Sequence, residues 1–143
     1  MDDLARLVIK SDPKANALRT NVQTGAPLRT LQSGRKILAK PIQSQAMRSG
    51  PIFDAVKKMH PWATVVTLNK NFASTKHRDK KNQGMSAIAL FGPFTGGALM
   101  VAEPKGLRKI TEKRKWHMFN RARDEHWVEP FTGDRWSLIA YRA

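Results

Sequence analysis

The chain has 143 residues, a length that supports one domain with a small barrel core. It contains no cysteine, which excludes disulfides and thiolate metal sites, and no apolar run approaches the roughly 20 residues of a membrane span. Because such a run is missing, we expect no membrane partner. The 26 basic and 11 acidic residues give a net charge of +15, which predicts a surface that attracts polyanions.

Residues 1–50 form a basic extension that we expect to flank the core or pack on it. Its start, with Asp2 and Asp3, differs from the basic start of a signal peptide. We therefore expect a soluble intracellular protein, in a nuclear or other nucleic-acid-containing compartment that the sequence does not specify. Residues 4–9 are compatible with a strand or a helical turn, and residues 28–42 mix apolar and basic side chains, so this region could wrap the core or meet substrate.

Residues 51–143 are predicted to form the core. A helix is expected over residues 51–59, with proline in its first turn and Pro61 ending it, because positions 52, 53, 56 and 59 form one apolar face. Short β-type segments follow, punctuated by glycine and proline as in a closed all-β architecture. They are residues 64–68, 77–79, 85–91 and 98–101. Gly96 and Gly97 indicate a tight turn where no side chain fits.

Three residues stand out as metal ligands: His77, Asp79 and His126. A strand would point His77 and Asp79 to the same face, and two imidazoles with one carboxylate are the donor set of non-haem Fe(II) oxygenases. The His-x-Asp spacing alone is weak, since chance would produce it in about one such sequence in five. A surface histidine with a local counter-ion, or a zinc site, remains an alternative at this stage.

An arginine and a serine follow the second histidine. His126 begins a predicted strand that is joined through a Pro/Gly connection to a second strand, residues 135–141. Arg135 and Ser137 share one face of that second strand. A guanidinium beside a hydroxyl suits the far carboxylate of a keto acid, although Arg135 could instead pair with a neighbouring carboxylate.

In order and spacing, residues 62–142 resemble the Fe(II)/2-oxoglutarate-dependent dioxygenases, and the TET/JBP-like branch in particular. Known members of that branch oxidise methyl groups on pyrimidine bases. The segments that carry the resemblance are TLNKN (67–71), HRDKKNQGMS (77–86), FTGGAL (94–99), WHMF (116–119), His126 and PFTGDRWSLIAY (130–141).

The resemblance implies a mainly β fold, a double-stranded β-helix (jelly-roll, cupin-like), with Fe(II), 2-oxoglutarate and O2 as cofactor and cosubstrates. It implies that His77, Asp79 and His126 are the catalytic metal ligands. Arg135 and Ser137 would bind 2-oxoglutarate, and either Asn69 or Asn71 would add a polar contact. The chain departs from the branch after the tryptophan, where residues 119–121 read Phe-Asn-Arg, and residues 105–115 are unusually basic.

The charge distribution favours a nucleic-acid partner, DNA or RNA. Residues 105–123 contain eight Lys/Arg and a single acid, Glu112. The favoured function is hydroxylation of a nucleic-acid base. The base must leave the stack or be presented single-stranded, and an aromatic side chain such as Phe72, Phe94 or Trp127 could then hold it. The alternatives are hydroxylation of a protein side chain or a small molecule, and a non-catalytic nucleic-acid-binding or assembly subunit. Strand state and oligomeric state stay open.

Overall fold

A computed structural model of the protein describes residues 1–11 and 43–143. Within these residues, two helices, α1 (Asp2–Lys10) and α2 (Pro51–Met59), accompany ten strands. The strands are β1 (Gln43–Met47), β2 (Val65–Lys70), β3 (Gln83–Phe91), β4 (Thr95–Gly96), β5 (Leu99–Glu103), β6 (Gly106–Ile110), β7 (His117–Phe119), β8 (Glu125–Val128), β9 (Phe131–Thr132) and β10 (Trp136–Arg142).

All of the strand pairs are antiparallel. A five-stranded sheet has the order β1-β2-β10-β3-β7, a three-stranded sheet has the order β6-β5-β8, and β4 pairs with β9. Helix α1 and strand β1 come from the predicted N-terminal extension, and β1 forms one edge of the larger sheet. The expectation of a mainly β, jelly-roll-like fold with a preceding helix is confirmed.

The central strands of the larger sheet are buried on both faces. Successive side chains point to opposite faces of the sheet, so each strand contributes to two core clusters. In β10, Leu138 and Ala140 pack toward the helices with Leu4, Val8 and Val56, whereas Ile139 packs between the sheets. In β3, Ala87, Ala89 and Phe91 face the helices, and Ile88 and Leu90 face the other cluster. Helix α2 begins at Pro51 and ends at Met59, as predicted.

The structure decides three segments that the sequence left open or assigned otherwise. Residues 4–9 lie in helix α1, with Leu4, Ala5 and Val8 buried against the sheet. Residues 77–79 form no regular strand, and His77 makes only an isolated β-bridge. The basic segment 105–115 contains strand β6, which pairs with β5 although its Leu107 and Lys109 side chains are exposed.

Candidate metal and cosubstrate site

Backbone pairing brings the two histidines together. His77 and His126 form an antiparallel bridge in which the N–H of each donates to the carbonyl of the other, at 3.1 and 3.0 Å. Their rings lie 4.3 Å apart between centroids. Asp79, two residues after His77, adds a carboxylate, with Oδ2 3.1 Å from His126 Nε2 and 3.7 Å from His77 Nε2. The candidate ligand atoms of all three residues lie within 4.8 Å of one another.

The hydrogen bonds of the imidazoles orient their free nitrogens toward this cluster. His77 Nδ1 donates to the carbonyl of Thr75 at 2.6 Å, and His126 Nδ1 donates to the carbonyl of Asp124 at 2.9 Å. A carbonyl can only accept, so Nδ1 of each ring carries a proton, and Nε2 is the nitrogen that faces the cluster and would ligate a bound metal. Burial lowers the pKa of His77 and outweighs the opposite effect of the Thr75 hydrogen bond, which keeps this ring neutral and able to ligate.

Asp79 is the anionic member of the cluster. Burial alone would raise the pKa of its carboxyl, but the hydrogen bond to His126 and the positive charge of Arg121 outweigh burial and lower the pKa to about 2. The group is therefore ionised at neutral pH. Two imidazoles and one carboxylate that line one cavity fit a divalent metal that keeps open positions, and they match the facial donor set of Fe(II).

Arg121 contacts Asp79 through both its side chain and its backbone carbonyl. Its Nη2 lies 2.7 Å from Asp79 Oδ2, and its carbonyl accepts a hydrogen bond from the Asp79 N–H at 2.9 Å. The guanidinium lies 5.1 Å from the ring centroid of Tyr141, whose hydroxyl is 3.0 Å from Thr67 Oγ1. This chain of contacts fixes Asp79 relative to the two histidines.

Replacing Arg121 by methionine is expected to weaken Fe(II) binding by roughly 10- to 100-fold, the usual cost of removing a group that orients a metal ligand. Arg121→Lys retains the charge and should recover part of this loss. The measurement is anaerobic titration of the metal-free protein with Fe(II), or with Co(II) followed by its visible absorption. Arg142→Met removes an exposed arginine at the end of β10 and should bind as the wild type does. Equal affinities for all variants would contradict the assigned role of Arg121.

Arg135 lines the same cavity as the three candidate metal ligands. Its side chain is buried, Nε donates to the carbonyl of Gly97 at 3.0 Å, and the guanidinium lies 5.5 and 5.9 Å from the rings of Phe94 and Phe131. Within residues 1–11 and 43–143 no salt bridge joins it to a carboxylate, and its Nη2 is buried without a hydrogen-bond partner. Burial lowers the pKa of Arg135 to about 10, which still leaves it charged at neutral pH. A buried cation with an unused donor fits an anionic ligand.

The metal cluster and Arg135 line a single cavity of about 350 Å³. Ser137 and Asn69, which are cross-strand partners on β10 and β2, line it as well. Buried apolar residues complete the wall: Ile88, Leu99, Phe119, Val128 and Ile139. The volume and the mixture of apolar wall and few polar groups are those of a small-molecule site.

The two asparagines have different places. Asn69 lines the cavity, and its Oδ1 accepts a hydrogen bond from Ser44 Oγ at 2.5 Å. Asn71 does not line the cavity; it has a positive φ of 58°, and its Oδ1 accepts from the N–H of Arg135 at 2.9 Å while its own N–H donates to the Arg135 carbonyl at 2.7 Å. Asn71 therefore holds the backbone that carries Arg135.

Gly97 controls the space beside Arg135. It has a φ of +68°, and a Cβ at this position would lie 3.0 Å from Arg135 Cδ and 3.0 Å from Phe131 Cβ. As predicted, no side chain fits at Gly96 or Gly97, and both have positive φ, but Gly96 belongs to strand β4 and neither residue lies in a turn. Gly97→Ala therefore combines backbone strain with displacement of the guanidinium.

We expect Gly97→Ala to raise the concentration of 2-oxoglutarate needed for half-maximal binding, with a loss of about 1–2 kcal/mol in unfolding free energy from the left-handed conformation. Gly84→Ala is the matched control, since Gly84 has a φ of +71° and nothing lies within 4 Å of a Cβ there. Calorimetric titration and thermal unfolding should show a similar stability loss in both variants but weaker binding only in Gly97→Ala. Equal binding by the two variants would contradict the proposed contact.

Sequence reasoning missed Arg121, Gly97 as a partner of Arg135, and the carbonyls of Thr75 and Asp124. Arg121 is 42 residues from Asp79 in the chain and was noticed only as a departure from the expected motif. Backbone carbonyls carry no side-chain signature at all. No pattern in the sequence could have identified these contacts, because each depends on segments that meet only in the folded chain.

The sequence matches no protein-family model, and no curated protein matches it. Among solved structures, an oxidoreductase of the 2OG-Fe(II) oxygenase family from Burkholderia pseudomallei superposes with a TM-score of 0.66 at 11% identity, covering 98% of this chain and 76% of that one. A prolyl-4-hydroxylase from Pseudomonas putida gives a TM-score of 0.56 at 15% identity, with 70% of each chain covered.

A structure of NgTET1 in complex with 5mC DNA is also similar, at a TM-score of 0.49 and 20% identity over 56% of this chain. The chain spans about a third of that protein's length, 34%. At these identities the similarities define the fold alone. The chain has the double-stranded β-helix fold of the 2-oxoglutarate/Fe(II) oxygenases, and the resemblance read from the sequence is confirmed at that level.

Neither helix within residues 1–11 and 43–143 is long and apolar enough to cross a membrane.

Proposed function

We propose that the protein is an Fe(II)- and 2-oxoglutarate-dependent oxygenase that hydroxylates a C–H bond on a nucleic-acid base. One observation carries the catalytic part of the proposal. His77, Asp79 and His126 come together in a cavity that is also lined by Arg135, a buried cation with an unused donor. A zinc site would use the three donors but would leave the buried guanidinium without a purpose.

Each residue has a defined task in this proposal. The Nε2 atoms of the histidines and the Asp79 carboxylate hold the metal, while Arg121 fixes the carboxylate. Arg135 and Ser137 hold the distal carboxylate of 2-oxoglutarate, because a guanidinium offers the paired donors that match it. Bound Fe(II) and 2-oxoglutarate together supply the activation of O2, with succinate and CO2 as products.

The surrounding residues protect this chemistry. Phe119, Val128 and Ile139 line the cavity as buried apolar side chains, so they exclude water from one side of the metal cluster. Asn69 stands beside Ser137 as a further polar contact for the cosubstrate. The group to be hydroxylated would enter the cavity near Thr75, because this residue lines the cavity and is exposed to solvent.

The substrate part of the proposal is supported by charge. The chain carries +15, and exposed cations flank the metal ligands at Lys76, Arg78 and Lys80. Such a surface gains affinity for a polyanion by releasing its counterions. Oxidation of a methylpyrimidine is proposed from the sequence resemblance. If the base comes from a duplex, it must leave the stack to reach the cavity.

The test is production of succinate from 2-oxoglutarate with and without Fe(II), followed by mass spectrometry of nucleosides after incubation with methylated DNA or RNA. Iron-dependent succinate together with an oxidised nucleoside supports the whole proposal. Succinate without a modified nucleoside would redirect the substrate to a protein side chain or a small molecule. No succinate with any substrate, despite intact nucleic-acid binding, would leave a non-catalytic binding subunit.

A further inference from the structure

The segment that carries two metal ligands is also strongly cationic on its outer side. Side chains alternate along residues 76–80: His77 and Asp79 are half-buried at the cavity, whereas Lys76, Arg78 and Lys80 are exposed. Lys81, the next residue, is exposed too. The one carboxylate of the segment, Asp79, faces the cavity cluster. A polyanion drawn to these cations would therefore lie directly against the metal site.

Strand β8 repeats this arrangement. His126 and Val128 line the cavity, and the alternate residues Trp127 and Glu129 line a second, shallow groove of about 430 Å³ on the outer side. Ser74, Thr75 and Val128 border both the groove and the cavity. The groove is thus continuous with the wall of the metal site.

An aromatic ring and a cation meet in this groove. Trp127 is partly exposed, and Lys76 Nζ lies 4.8 Å from its ring centroid. We define the Trp127 groove as the outer surface formed by Thr75, Lys76, Trp127, Glu129 and Pro130. An indole face beside a lysine ammonium is a combination that binds single-stranded nucleic acids, because a base can stack on the ring and a phosphate can pair with the cation.

We propose that the Trp127 groove binds a nucleotide of a single-stranded nucleic acid next to the one that enters the metal cavity. This deepens, and rests on, the proposed function, since it takes nucleic acid as the substrate class. A base stacks on Trp127, and Lys76 moves from the ring to an adjoining phosphate. Arg78 and Lys80 continue the path of the backbone along the ligand segment.

Two features favour this occupant over other anionic partners. Glu129 lines the groove, and a carboxylate can accept a hydrogen bond from the exocyclic amino group of a base, a donor that an acidic peptide does not offer. A duplex keeps its bases stacked inside, so their faces cannot reach the indole. Only an unpaired strand can offer both a base face and a phosphate to the groove.

The test measures the affinity of the full chain, without iron or 2-oxoglutarate, for a fluorescein-labelled pyrimidine DNA strand of about ten nucleotides. Trp127→Ala should weaken binding by roughly 5- to 150-fold, the range for losing one stacked base. Trp127→Phe keeps a stacking face and should retain most of the affinity, which separates stacking from misfolding. Lys76→Ala should reduce the slope of log K against log salt by about 0.7.

Lys58→Ala is the matched control, because Lys58 is an exposed lysine on α2, which packs on the helix-facing side of the larger sheet. Its affinity and salt slope should equal those of the wild type. Unchanged affinity in Trp127→Ala, or an equal loss in Lys58→Ala, would overturn the proposal. So would binding of the matching duplex, or of polyglutamate, with the same dependence on Trp127.

This readout is independent of turnover. If Trp127→Ala binds the strand as tightly as the wild type while iron-dependent succinate is still formed, the proposed nucleotide site is wrong and the proposed oxygenase activity stands. A Trp127-dependent strand affinity in a protein that forms no succinate would support the groove while removing the proposed catalysis.

Discussion

Replacing Asp79 by alanine is expected to abolish Fe(II) binding and to reduce succinate formation by more than about 100-fold. Loss of a group that merely orients a metal ligand costs 10- to 100-fold, and loss of the ligand itself should exceed that range. Asp79 is the only anion in the cluster of three donors. Its removal would leave two imidazoles and place the charge of Arg121 next to the metal without compensation.

Asp54→Ala is the matched control. It removes the same charge from an exposed position in the first turn of α2, away from the cavity. Iron titration, succinate formation and thermal unfolding should be measured on both variants. Asp54→Ala should behave as the wild type. Succinate formation by Asp79→Ala at the wild-type rate would remove this residue from the metal site and, with it, the proposed oxygenase.

Replacing Arg135 by alanine is expected to raise the KM for 2-oxoglutarate by about 30-fold or more, with Fe(II) binding retained. Truncating one partner of a buried, hydrogen-bonded charge pair costs about 2–5 kcal/mol, and about 1.4 kcal/mol corresponds to a factor of ten. Arg135 is fully charged at neutral pH although burial lowers its pKa to about 10. The cosubstrate's carboxylate would lose its only buried cation in this part of the cavity.

Arg135→Lys separates charge from geometry. Lysine keeps a positive charge but cannot offer two parallel N–H donors, so its KM should fall between those of the wild type and Arg135→Ala. Steady-state succinate formation over a range of 2-oxoglutarate concentrations gives KM, and anaerobic iron titration checks that the metal cluster is intact. An unchanged KM in Arg135→Ala would contradict the assignment. Parallel loss of iron binding would instead make Arg135 a structural residue.

Much of the architecture could be predicted because its signals are local. Proline at the start of α2 and an apolar face over residues 51–59 predict that helix, and the structure confirms its bounds. Short β-type segments punctuated by glycine and proline predict β3 and β5 to within a few residues. Strand β6 was not predicted because its exposed side chains, such as Leu107 and Lys109, show no burial pattern. It is a strand because it pairs with β5, and that pairing forms only in the folded chain.

The His-x-Asp segment shows a different limit. Residues 77–79 were expected to be a strand, since i and i+2 then point the same way. The structure has only a bridge at His77, yet His77 and Asp79 still face the cavity. The extended backbone needed for that alternation comes from pairing with His126, 49 residues later in the chain, and not from a regular sheet.

Asn69 and Asn71 show what the sequence leaves open and the tertiary structure decides. Both lie at the end of one β segment and have identical chemistry. Asn69 pairs with Ser137 across the sheet and lines the cavity, whereas the positive φ of Asn71 turns its side chain onto the backbone of Arg135. The contacts that distinguish Asn71 are therefore made with Arg135, a residue far away in the sequence.

By itself, the sequence determined the kinds of donor available: two imidazoles, a carboxylate, a guanidinium and a hydroxyl, in an order that resembles one oxygenase superfamily. Local composition also determined the helix at 51–59, the glycines where no side chain fits and the basic surface. Only the tertiary structure decided that Nε2 of each histidine faces the cluster, that Arg121 holds Asp79, and that Arg135 is buried with an unused donor. These features depend on backbone carbonyls and on pairings between distant segments, and such contacts acquire definite positions only when the two sheets close around the cavity.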